Sequence, residues 1–216
     1  QVIVDGQKQT KAGAATGENS LIELTKPSPF VSRGGLKLES GLEAFGLNVA
    51  GRVCLDLGAS TGGFTDCLLQ RGAAKVYAID VGTAQLDAKL KNDPRVVSRE
   101  QTHAKKLRAQ NFEPLADLAV IDVSFISLTQ VLPHAAACLR RPFEILALIK
   151  PQFEVGPKLA PKGVVRDPAV RQQAVEKVRQ ILPEIGVAER GLFECPVHGP
   201  KGNVELFLYM ANIDGH

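Results

Sequence analysis

From Arg52 to Pro151 the chain alternates between short apolar runs and stretches whose apolar residues recur at helical spacing. RVCLDLGA, KVYAIDV, VVSRE, LADLAVIDVS and FEILALIKP read as strands. GGFTDCLLQRG, TAQLDAKLKND and ISLTQVLPHAAACLRR read as helices, with Gly72 as a C-terminal stop in the first and Pro133 as a kink in the third. Strands that alternate with helices predict a parallel sheet covered on both faces. The fourth and fifth runs are almost continuously apolar, as strands buried on both sides should be. GGLKLESGLEAFGL predicts a helix ahead of the first strand. PAVRQQAVEKVRQILPEIG predicts one after the fifth, with Pro168 in its first turn. AERGLFECPV and NVELFLYMAN follow each other without a helix, so they should pair antiparallel. The expected fold is α/β: seven strands, mostly parallel with one antiparallel strand, and helices on both faces.

The sharpest local signal is CLDLGASTGGFTD, where a strand meets a glycine-rich turn and then a helix. Gly58, Gly62 and Gly63 let the backbone turn sharply and approach a ligand. Open α/β sheets bind ligands at the C-terminal strand ends near the topological switch point. Asp80 ends the second strand, where an acid can accept the hydroxyls of a ribose. The glycine spacing is G-x-x-x-G-G rather than the dinucleotide G-x-G-x-x-G. Asp56, just before the turn, would repel a pyrophosphate and suits a cationic ligand. The loop therefore favours S-adenosyl-L-methionine, a sulfonium nucleoside without phosphate, and the layout is the Rossmann-like one of methyltransferases. Candidate cofactor-binding residues are Asp56, Gly58, Ser60, Thr61, Gly62, Gly63, Phe64 and Asp80. The competing reading is an ordinary tight strand-to-helix turn.

Four charged residues fall at strand ends or near them. Lys37 lies in the first helix, Asp122 ends the fourth strand, Lys150 ends the fifth, and Glu205 opens the last. The competing reading for each alone is a solvated charge at a strand end, one that suits Lys37 and Glu205 better than Asp122 and Lys150. Beside apolar strands, however, unpaired charge is costly unless it has a use.

In this order the set resembles the FtsJ-like RNA 2′-O-methyltransferases. SRGGLKL, DLGASTGGFTD, the Asp-Val-Gly of AIDVG, DVSFISL, IKPQFE and KGNVEL are similar to the haemolysin A (TlyA) branch, over residues from about 31 to 210. The resemblance implies a catalytic tetrad of Lys37, Asp122, Lys150 and Glu205. It also implies methyl transfer to a cytidine ribose 2′-hydroxyl of ribosomal RNA. Burial and the nearby Lys37 would lower the pKa of a Lys150 base, whereas the two acids would raise it, so the balance does not follow from sequence. Residues 31–216 would form the methyltransferase domain. Residues 1–30 resemble the back half of an S4 RNA-binding module without its front half. In SREQTHAKK the family often has Asn near His103, so His103 receives no role and is expected as a surface or core residue.

The net charge of +3 permits a polyanionic partner without requiring one. Lys158, Lys162 and Arg166 in the loop from Gln152 to Asp167, and Lys11, Lys26 and Arg33 on the N-terminal side, are candidates to touch phosphates. With nine Phe, two Tyr and no Trp, a base-stacking platform is not evident. The cysteines Cys54, Cys67, Cys138 and Cys195 form no C-x-x-C pair and lie at no zinc-ligand spacing, so no metal is expected and the compartment read from them is the cytoplasm. No run approaches ~18 apolar residues, which argues against a membrane span and a lytic role. Two further readings stay open: an RNA- or ribosome-binding protein with a vestigial methyltransferase fold, and a small-molecule methyltransferase.

Overall fold

The structure, a computed structural model, describes residues 2–5, 7–9, 13–17, 20–24 and 28–213. Lys11 and Lys26 lie outside the described residues. Near the N-terminus, β1 (Val2–Val4), β2 (Gln7–Gln9) and β3 (Ile22–Leu24) form an antiparallel sheet in the order β2-β1-β3.

The main sheet follows. Helix α1 (Arg33–Ala44) starts at Ser32, whose hydroxyl accepts the Gly34 N–H. Then come β4 (Val53–Leu57), α2 (Gly63–Gln70), β5 (Lys75–Ile79), the single turn α3 (Ala88–Lys91) and β6 (Val96–Arg99). β7 (Ala116–Ile121), α4 (Leu132–Ala136), β8 (Leu139–Ile149), the single turn α5 (Pro151–Glu154) and α6 (Pro168–Arg179) complete the alternating part. β9 (Val187–Glu194) and β10 (Leu206–Asn212) close the chain. The strand order is β6-β5-β4-β7-β8-β10-β9. All pairings from β6 to β8 are parallel, and β10 runs antiparallel to both β8 and β9. One strand of seven thus opposes the rest, as the sequence predicts.

Alternation along the strands sorts the core into two layers. Leu55, Leu57, Ala119, Ile121, Ile145, Ala147 and Ile149 pack towards α4 and α6, beside Leu132, Ala135, Ala174, Val175 and Val178. Cys54, Leu118, Val120, Leu146 and Leu148 face the other way, onto Leu38 and Leu42 of α1 and Phe64, Cys67 and Leu68 of α2. Side chains at successive strand positions point to opposite faces, so each run needs apolar residues throughout to bury both.

Three elements differ from the sequence expectation. The helix expected over residues 83–93 shrinks to α3, because the Glu100 carboxylate accepts the Ala84 and Gln85 N–H groups and holds that segment as a loop. The long helix expected over 126–141 divides into a 3-10 turn (Leu128–Gln130) and the five-residue α4. Pro133 sits in the first turn of α4, where its missing N–H costs nothing, and so starts a helix rather than kinking one. Leu139–Arg141 belong to β8 instead.

Candidate active site

The chain runs β4 to β5 to β6 outward in one direction, then returns to place β7 on the other side of β4. This reversal leaves a crevice at the C-terminal ends of β4 and β7. The glycine turn after β4 floors it. Gly58 has φ +88°, and a Cβ there would lie 2.4 Å from the Asp122 carbonyl oxygen, so only glycine lets the turn pass the end of β7. The Gly58 and Ala59 N–H groups donate to the Ile79 carbonyl at 2.9 and 3.1 Å, tying the turn to the end of β5.

Asp80 follows β5 directly. Its carboxylate accepts the Ser60 N–H at 2.8 Å and the Gly82 N–H at 2.7 Å, so two loops are organised around one acid. A cleft of about 490 Å³ opens here, lined among others by Gly58, Ser60, Asp80, His103, Asp122 and Phe125. This volume lies within the ordinary range for small-molecule sites. A second cavity of about 280 Å³ adjoins it, lined among others by Arg33, Lys37, Thr61, Phe64, Asp122 and Lys150. The two share Gly58, Ser60 and Asp122.

The four charged residues fall into two ion pairs. Lys150 Nζ lies 2.5 Å from Asp122 Oδ1 and donates to Ser124 Oγ at 3.0 Å. Lys37 Nζ donates to Glu205 Oε2 at 2.6 Å. Glu205 is fully buried just ahead of β10, and Glu205 Oε1 has no hydrogen-bond partner among the described residues. Buried charge is tolerated only when paired, which explains the short contacts.

Other candidates serve from behind the walls. Asp56 is fully buried beneath the turn; its Oδ2 accepts the Thr65 hydroxyl at 2.6 Å, and Oδ1 has no partner among the described residues. Burial pushes its carboxyl up to about 7, against the lowering effect of the Thr65 bond. Gly62 and Gly63 are not brought to the walls of either cavity. A Cβ at Gly62 would lie 2.2 Å from the Leu90 side chain, and one at Gly63 would lie 2.2 Å from Ser32 Oγ and 2.8 Å from the Gly35 nitrogen. These two glycines allow α1 and α3 to close on the start of α2.

Sequence reasoning missed several residues. His103, given no role from the sequence, is exposed and stands on the cleft wall. Phe125 is 90% exposed at the same cleft, its ring 4.9 Å from that of Phe153. Glu154 is buried, with its carboxylate accepting the Ser127 hydroxyl and, at 2.7 Å, the Leu128 N–H. Its place four residues after Lys150, in an otherwise basic loop, was the available signal. Among the described residues no group of His, Cys, Asp and Glu could hold a metal ion, and no helix is long and apolar enough to cross a membrane.

A sheet reversed only at β10, with an acid at the end of its second parallel strand and a glycine turn at the switch point, defines a Rossmann-like methyltransferase. This chain belongs to the FtsJ-like methyltransferase family, whose sequence profile matches residues 30–212. It is 46% identical over 213 residues to the 16S/23S rRNA (cytidine-2'-O)-methyltransferase TlyA of Mycobacterium tuberculosis, covering 97% of this chain and 80% of that protein. It is 41% identical to Hemolysin A of Brachyspira hyodysenteriae, over 96% of this chain and 88% of that one. A solved structure of a candidate hemolysin from Streptococcus thermophilus superposes with a TM-score of 0.87 at 40% identity, covering 99% of this chain and 79% of that one.

Proposed function

We propose that this chain transfers a methyl group from S-adenosylmethionine to a cytidine ribose 2′-hydroxyl of ribosomal RNA. One observation carries the reading: the Lys150–Asp122 pair opens onto a cavity that shares its wall with the nucleoside-sized cleft. The activity named for the Mycobacterium tuberculosis relative supports the same substrate.

The residues present fit the donor. Asp80 keeps a spare lone pair on each carboxylate oxygen for the ribose hydroxyls. Gly58 lets the donor approach the backbone closely. Asp56 acts by holding Thr65 at the start of α2, and Gly62 and Gly63 act by packing α2. Ser60, Thr61 and Phe64 line the cavities directly. When bound, the donor supplies an electrophilic methyl group on sulfur.

In its neutral form, after its own proton has passed to solvent, Lys150 Nζ takes the proton of the attacking hydroxyl. Ser124, which accepts a hydrogen bond from it, and Asp122, 2.5 Å away, hold its Nζ in place. Glu205 holds Lys37 at the other side of the small cavity, where its positive charge stabilises the developing alkoxide. Holding oxygen and methyl in line supplies much of the rate. Phe125 offers an exposed ring face to an unstacked base.

Residues 1–30, with the three-stranded sheet, are proposed as the partial S4-like RNA-binding segment, and 31–216 as the catalytic domain. Arg33, Lys158, Lys162 and Arg166 contact phosphates. The substrate makes the cytoplasm the expected compartment.

The test is methylation of purified small and large ribosomal subunits with tritiated donor, followed by mapping of the modified nucleotide. Label on a cytidine 2′-oxygen supports the proposal. Donor binding without transfer to either subunit would favour a vestigial fold that only binds RNA.

A further inference from the structure

The tripeptide Pro-Lys-Gly occurs twice, at residues 161–163 and 200–202, and the fold sets the two copies side by side. Both adopt one conformation. Lys162 has φ 55° and ψ 20°, Lys201 has φ 60° and ψ 16°, and the glycines that follow have φ 75° and 79°. Lysine rarely takes left-handed backbone, where glycine or asparagine would rest without strain.

The turns are fastened together. Lys201 Nζ donates to the Lys162 carbonyl at 3.1 Å. Asn203, buried between them, donates to the Gly163 carbonyl at 2.9 Å and accepts the Val165 N–H at 3.0 Å. The Gly199 N–H returns to the Asn203 carbonyl at 2.8 Å. A Cβ on Gly199 would lie 2.1 Å from Glu205 Oε1, so this double turn rests on the buried carboxylate that holds Lys37.

Both lysines are exposed. Lys201 spends one of its three ammonium hydrogens on the neighbouring turn, and Lys162 makes no side-chain bond among the described residues. The acid next in sequence, Asp167, is engaged in accepting the Ala169 N–H at the start of α6. Two cations on a braced double turn, backed directly onto the candidate active site, suit a polyanionic strand. Strained backbone braced from several sides points to a use for the side chains it presents.

We propose that Lys162 and Lys201 form a two-point clasp for the phosphate backbone of the substrate RNA beside the target nucleotide. The clasp rests on the RNA methyl-transfer reading and adds Lys201, from a distant chain segment, to the basic loop. It positions the strand and carries no base specificity.

The experiment compares the full chain with K162G/K201G and K162R/K201R. Kd for ribosomal RNA is measured across a salt series, alongside donor affinity, thermal midpoint and methyl transfer. In K162G/K201G the Kd should rise on the order of tenfold at moderate salt, and the slope of log affinity against log salt should flatten by about 1.5. Its thermal midpoint should hold or rise, because glycine relieves the strain, and its donor affinity should not change. K162R/K201R should keep the steep slope. An unchanged Kd and slope in a glycine variant that folds and still methylates would overturn the clasp alone. So would a lowered midpoint with the slope intact, which would mark the lysines as structural. A parent chain that fails to bind or methylate ribosomal RNA would overturn the clasp together with the reading beneath it.

Discussion

The Lys37 ammonium and the Glu205 carboxylate meet at 2.6 Å across 168 residues of chain, both almost shielded from water. Removing one charge from such a pair strands the other in an apolar setting. Lys37→Met should therefore cost on the order of 3–5 kcal/mol of stability, far more than a surface lysine. Chemical denaturation of the two proteins would measure it, and a loss below about 1 kcal/mol would mean that water reaches Glu205.

As the proposed base, Lys150 is expected to matter to chemistry more than to folding. Lys150→Ala should abolish methyl transfer to ribosomal RNA while calorimetry shows the donor binding as before. Undiminished transfer by the variant would remove Lys150 from the role of base.

Asp56 makes stability depend on pH. Its carboxyl sits up at about 7 in the fold, chiefly through burial, against 3.8 ordinarily. Between these values the folded chain binds a proton that the unfolded chain has released. The contribution of this group is thus fully present below about pH 4 and is lost as pH rises through 7. Asp56→Asn should flatten that decline. Denaturation midpoints from pH 4 to 8 decide the matter, with equal slopes in both proteins as the refuting result.

Glu154 links the two strand ends that carry the Lys150–Asp122 pair. It lies four residues beyond Lys150, and its carboxylate accepts from Ser127 and Leu128, just beyond Asp122. Lys177 also approaches it at 3.5 Å. Glu154→Ala should lower kcat with little change in KM for the donor, and Glu154→Gln should recover part of the rate by keeping one acceptor. An alanine variant that loses stability while its folded fraction turns over normally would assign Glu154 to folding alone.

The alternation of apolar runs determined the sheet and its reversed last strand, because period and length fix which faces a strand must bury. The glycine turn and Asp80, both legible in the sequence, stand where a cleft opens in the fold. Short helices were less legible. Residues 83–86 have helical spacing, yet a carboxylate from Glu100 captures the Ala84 and Gln85 N–H groups, and no local pattern records so distant an acceptor. Residue type could not separate Gly58, which the end of β7 requires, from Gly62 and Gly63, which helix packing requires. Only the tertiary structure paired Lys37 with Glu205, set Lys150 on Asp122, buried Asp56 beneath its turn and joined the two Pro-Lys-Gly segments. Pairing across long stretches of chain is decided by which burial leaves the fewest charges and hydrogen bonds unanswered, and that is a property of the whole fold.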